Sequence, residues 1–133
     1  MDTLTNPSDE LFAYGPLVTV QLAATTPGAS SMTSELLVDT GADVTVIDED
    51  LAARLGTIAV RSMEISGVTS TRLSVPVHTV MVIFPLLGLN LETDVVVLPR
   101  ANDEVAGLIG RDVLQHLRFH YDGPAGSFTL SAS

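Results

Sequence analysis

Asp39, Thr40 and Gly41 lie in the stretch LLVDTGADVTVID, Leu36 to Asp48, where two apolar arms flank an acid, a hydroxyl and a glycine. A carboxylate at the end of an apolar run is costly to desolvate, so an acid kept there is expected to do chemistry with a proton. Gly41 would let the backbone come close to that carboxylate and to a bound chain, an approach that a Cβ obstructs. Asp-Thr-Gly is also good turn chemistry, and a capped bend is the bland alternative.

Other chemistries lack parts. With no cysteine in the chain, thiolate zinc sites and a cysteine nucleophile are excluded. His116 and His120 have the i,i+4 spacing that chelates zinc on a helix, but only Asp112 stands near them as a further ligand. Nothing pairs Ser66 or Ser70 with a histidine and an aspartate as a nucleophile would need. Gly107 and Gly110 lack the Gly-Lys-Ser/Thr ending of a phosphate loop. No metal and no organic cofactor is implied.

The elements that must position Asp39 read mostly as strands. PLVTVQLAA, from Pro16, alternates and is rich in β-branched residues; TTPGASS is a turn cluster; MTSELLVDT returns and ends at Asp39. After an extended run from Ala42 to Ile47, Asp48 has the character of a helix N-cap. Glu49 and Asp50 would occupy the first turn, Leu51 and Leu55 share a face, and Gly56 closes the helix. RSMEISGVTSTRLSV predicts a hairpin with its tip between Ser66 and Ser70, and VHTVMVIF and LETDVVVLP predict further strands. RANDE, from Arg100, reads as a polar loop. In AGLIGRDVLQHLRF a strand end breaks at Gly110 into a short amphipathic helix carrying Val113, Leu114 and Leu117 and ending near Arg118. FHYDGPAGSFTLSAS predicts strand, turn and strand. Residues 1–10 show no periodicity and are expected to be a flexible arm, with one domain over 11–133.

The chain has 133 residues, 46% of them hydrophobic and 17% charged, which suffices for a single core and argues against disorder. Its formal net charge of −10 disfavours nucleic acid and anionic lipid as partners, and opposes self-association at neutral pH. The most apolar run, VPVHTVMVIFPLLGL, contains His78 and Pro85 and is shorter than the ~20 residues a membrane helix needs. MDTLTNPSDE does not read as a signal peptide, so a soluble, cytoplasmic protein is the expectation.

Leu37-Val38-Asp39-Thr40-Gly41-Ala42, followed downstream by Leu108-Ile109-Gly110 and a helix, resembles the retropepsin-like (retroviral-type) aspartic peptidases. The resemblance covers Leu17 to Leu130 as an order of elements, and its differences from the viral pattern point to a cellular or bacterial member. It implies a mostly β fold, a closed retropepsin-like barrel of one lobe with one or two short helices, and endopeptidase activity. Asp39 would be the catalytic acid/base, with Thr40 bonding across the site and Gly41 supporting it. Gly41, Ala42, Asp43, Ser66, Gly67 and Val68 would contact an extended peptide, the last three from a flap. Asp43 and Arg111 would pair beside Gly110 to brace the site. Such a mechanism needs two aspartates, and the sequence holds no second Asp-Thr/Ser-Gly. The implied partner is therefore a second copy in a homodimer, with a peptide or protein substrate. In viral relatives terminal strands interleave to make that dimer. The alternative is a non-catalytic dimerisation or peptide-binding module of the same fold.

Overall fold

Val18, Val20 and Leu22 alternate with more exposed neighbours along β2 (Leu17–Ala24), so one face of that strand goes inward. The computed structural model describes residues 3–4, 11, 13–66, 72–99 and 105–132. A turn with Gly28 in the left-handed region (φ 79°) returns β2 into β3 (Met32–Val38), paired antiparallel from Leu17↔Leu37 to Leu22↔Met32. β4 (Val46–Asp48) leads into α1 (Glu49–Leu55). Asp48 caps this helix by accepting the Leu51 N–H at 2.7 Å, and Gly56 ends it at φ 75°.

β5 (Ala59–Ser66) and β6 (Arg72–Phe84) form the expected hairpin, closing at Ser66↔Arg72. Its tip, with Gly67, Val68 and Ser70, lies outside the described residues, as does the loop from Arg100. Where the sequence suggested that a second strand begins near Val77, β6 is one continuous strand. Pro76 precedes the β6–β7 pairing, which begins at Val77↔Val96, so β6 has a paired neighbour on one side only at that position, where a missing N–H is tolerated. A 3₁₀ turn, Pro85–Leu87, joins β6 to β7 (Leu89–Leu98). Among the described residues no helix is long and apolar enough to cross a membrane.

β8 (Gly107–Ile109) inserts between β3 and β4, giving the order β2-β3-β8-β4-β7-β6-β5. A second pairing of β2 with β6 closes β2, β3, β8, β4, β7 and β6 into a barrel, with β5 hanging from its rim. Val20, Leu22, Leu36, Ile47, Val80, Val82, Phe84 and Ile109 fill it and are fully buried. This is the mostly β, retropepsin-like closed barrel expected from the sequence.

The helix after Gly110 is shorter than its apolar spacing suggested. α2 covers only Arg111–Leu114, and Leu117 already belongs to β9 (Leu117–Asp122). His116 and His120 therefore share no helix face. β9 and β10 (Ser127–Ala132) form the hairpin expected at the C-terminal end. β1 (Thr3–Leu4) pairs on the other side of β10, so a small sheet of order β1-β10-β9 stands beside the barrel.

Candidate active site

Asp39 is the first residue beyond β3, and the parallel partner of β3 fixes where it stands. Val38 lies opposite Ile109, and the Asp39 N–H donates to the Ile109 carbonyl at 2.9 Å. The chain then turns sharply: the Ala42 N–H donates to the Asp39 carbonyl (3.2 Å) and the Gly41 N–H to Asp39 Oδ1 (2.9 Å). This second bond aims one carboxylate oxygen at the loop's own backbone. A Cβ on Gly41 would lie 3.2 Å from that oxygen, tight enough to disturb the aim.

The Asp39 loop is bound to the Gly110 segment at several further points. The Arg111 N–H donates to the Ala42 carbonyl, and Arg111 Nη1 donates to the Thr40 carbonyl, both at 2.8 Å. The resemblance had paired this guanidinium with Asp43. Among the described residues no ion pair joins them; the guanidinium reaches the nearby Thr40 carbonyl, and Asp43 stays exposed. Arg111 thus braces the loop through its backbone.

Thr45 is the buried link that sequence reasoning missed. Fully buried, it donates from Oγ1 to Asp112 Oδ1 (2.7 Å), donates from its N–H to Asp112 Oδ2 (3.0 Å), and accepts the Gly110 N–H (3.1 Å). Two segments far apart in sequence are locked by one hydroxyl and one carboxylate, and a buried donor or acceptor left without a partner would be costly. The one signal was a threonine standing inside the apolar run Val44-Thr45-Val46-Ile47. Gly110 is needed for the close approach, because a Cβ there would stand 2.5 Å from the Val44 carbonyl oxygen.

Thr40 and Gly41 are exposed, and no described residue hydrogen-bonds the Thr40 hydroxyl. Leu37 and Leu108, whose strands lead directly to Asp39 and Gly110, line an apolar cavity of about 240 Å³ together with Val46, Ile47, Leu98 and Pro99. Met63 and Ile65 of β5 pack with Val75, Val77, Val96, Val44, Val46 and Leu98, which seats the β5–β6 hairpin beside that cavity. Of the flap residues named from sequence, Ser66 is exposed at the end of β5; Gly67 and Val68 are outside the described residues. Among the described residues no cluster of histidine and acidic side chains could hold a metal ion.

A protein-family model described as "Aspartyl protease" matches residues 25–113. The chain is similar to the EIAV protease solved in complex with the inhibitor HBY-793, with 25% identity over 75% of this chain and 85% of that one, at a TM-score of 0.50. It is similar in fold to a retropepsin-like aspartic protease from Rickettsia conorii, 14% identical, over 96% of this chain and 89% of that one, at a TM-score of 0.59. No curated protein sequence matches it.

Proposed function

The chain belongs to the aspartyl protease family, and from that premise we propose that it is an endopeptidase whose catalytic centre forms when Asp39 of two copies meet across a two-fold axis. The observation that carries this reading is the Asp39 loop: pinned by Ile109 and Arg111, it presents an exposed Thr40 whose hydroxyl lacks a partner within the described protomer. A second copy supplies both the missing carboxylate and the missing partner for that hydroxyl.

Two carboxylates held close together cannot both ionise, so the pair shares one proton and titrates as a unit. The ionised member takes a proton from water as that water attacks the scissile carbonyl carbon. The protonated member donates to the carbonyl oxygen, giving a neutral gem-diol and no acyl-enzyme. Collapse of the gem-diol breaks the C–N bond, and the departing nitrogen takes a proton from the dyad. Gly41, Ala42 and Asp43 bind the peptide backbone in extended form, and the β5–β6 hairpin covers it and excludes water. The cavity under Leu37 and Leu108 favours an apolar side chain next to the cleaved bond.

The test compares wild-type and Asp39→Asn proteins, matched for dimer content, on a mixed peptide library. We expect cleavage by the wild type and a loss of about 10³-fold or more in the variant. If folded dimers of both proteins leave every peptide intact, the fold serves as a peptide-binding module instead. Equal cleavage by both removes Asp39 from the mechanism.

A further inference from the structure

Asp43 lacks the partner that the resemblance gave it. The Arg111 guanidinium turns to the Thr40 carbonyl at 2.8 Å, and the exposed Asp43 carboxylate makes no hydrogen bond or ion pair among the described residues. It stands four residues beyond Asp39, at the end of the stretch Gly41 to Asp43 that holds the peptide backbone in the reading above. Beyond it the surface stays acidic. Val44, which packs with Met63 and Ile65 of β5, also lines a polar cavity of about 490 Å³ with Arg61, Glu92, Asp94, Asp112 and His116. The Arg61 guanidinium is already held there by Asp94 at 3.3 Å, and Asp112 by Thr45 and Val113. Glu92 has no polar partner among the described residues.

We propose that Asp43 selects a basic side chain of the substrate, once at each end of the cleft, so that the peptides cut carry arginine or lysine at equal distances on both sides of the scissile bond. This rests on the reading that two Asp39 loops complete one site, and it gives that site a substrate class. The two-fold that relates both Asp39 carboxylates also relates both Asp43 carboxylates. An extended peptide crosses the axis at the cleaved bond and advances about 3.3 Å per residue in each direction, so it meets one Asp43 on either side. Had Arg111 closed on Asp43, the two charges would cancel and neither end of the cleft would read charge.

An exposed aspartate is by itself an ordinary solvated group; the backbone on either side of this one is fixed. The Ala42 carbonyl accepts the Arg111 N–H at 2.8 Å, and Thr45, two residues on, is fully buried and bonded to Asp112. A carboxylate carried on a fixed loop has less freedom to lose when a cation reaches it. The long-range field acts in the same direction. With six basic and sixteen acidic residues, the chain attracts basic peptides and repels acidic ones before contact, and a second copy doubles that field. The apolar cavity under Leu37 and Leu108 reads the side chain beside the bond, and Asp43 reads charge farther out.

The test applies the mixed peptide library to wild-type, Asp43→Asn and Asp43→Arg proteins. Among peptides cut by the wild type, arginine and lysine should be enriched over glutamine about three- to tenfold at one position on each side of the bond. The enrichment should shrink at about 1 M salt, where charges are screened within about 3 Å. Asp43→Asn should abolish it, and Asp43→Arg should replace it with glutamate and aspartate, a reversal that general damage to the loop would not produce. In parallel, the same library is captured on immobilised Asp39→Asn protein, with and without Asp43→Asn, which reads the preference without catalysis. Cleavage with no basic enrichment, or with enrichment that survives Asp43→Asn, would overturn the proposal and leave the peptidase reading standing. So would enrichment on one side of the bond only. Asp43-dependent capture by a protein that cuts nothing would sustain the proposal and remove the peptidase reading. Neither cleavage nor capture would overturn both.

Discussion

The floor of the site and the hairpin beside it are built by opposite means. In the floor, the Asp39 and Gly110 segments meet through backbone bonds, a fully buried threonine and glycines too close to their neighbours to carry a Cβ. In the β5–β6 hairpin, β5 has no buried residue and its polar ties are the exposed pairs Arg61–Asp94 (3.3 Å) and Arg72–Glu64 (3.5 Å). Buried polar networks specify one arrangement, whereas surface ion pairs tolerate many. A catalytic carboxylate needs the first kind of support, and an element that must admit and release a peptide chain needs the second.

Substitutions should expose this difference in order of size. Gly110→Ala drives a Cβ against the Val44 backbone and should cost about 3 kcal/mol or more in denaturant unfolding. Thr45→Val keeps the volume but strands the Gly110 N–H and leaves Asp112 Oδ1 with the Val113 N–H alone. It should cost about 1–3 kcal/mol and lower kcat by disordering the Asp39 loop, which steady-state kinetics at matched dimer content would register. Removing the hairpin ion pairs by Arg61→Ala or Arg72→Ala should change stability by no more than about 0.5 kcal/mol. A loss as large as that of Thr45→Val would erase the contrast.

The smallest effect expected is one of pH. Burial holds the His78 imidazole below its ordinary value of 6.5, and its Nδ1 lies 2.8 Å from Thr57 Oγ1 just beyond α1. A base depressed in the folded state binds fewer protons there than in the unfolded chain, so its contribution is present above pH 6.5 and is lost as pH falls below it. The stability difference between wild type and His78→Gln should accordingly narrow from pH 7.5 to 5.5 in thermal unfolding. A difference that widened in acid would contradict the assignment.

What could be read from the sequence was what depends on near neighbours. Asp48 and Gly56 delimit α1 as their types require, and the β2–β3 and β9–β10 hairpins follow from turn residues between alternating strands. The Asp39 and Gly110 segments were also legible, because their motif is local. The Thr45–Asp112 bond was not: the two residues are 67 positions apart, and a threonine inside an apolar run signals a buried hydroxyl without naming its partner. The resemblance paired Arg111 with Asp43, whereas its guanidinium donates to the Thr40 carbonyl, an acceptor that every residue carries and that no residue type announces. The length of α2 was overread because Leu117 keeps helical spacing while lying on a strand, where the β9–β10 ladder outweighs local propensity.

The central claim is that one chain holds half a catalytic site. Wild-type and Asp39→Asn chains refolded together in varied ratios, at fixed total concentration, test it most directly. If two Asp39 carboxylates make one centre, mixed dimers are inactive and peptidase activity falls with the square of the wild-type fraction, to about a quarter at equal mixing. A linear fall, to about a half at equal mixing, would mean that each chain acts alone and would contradict the account.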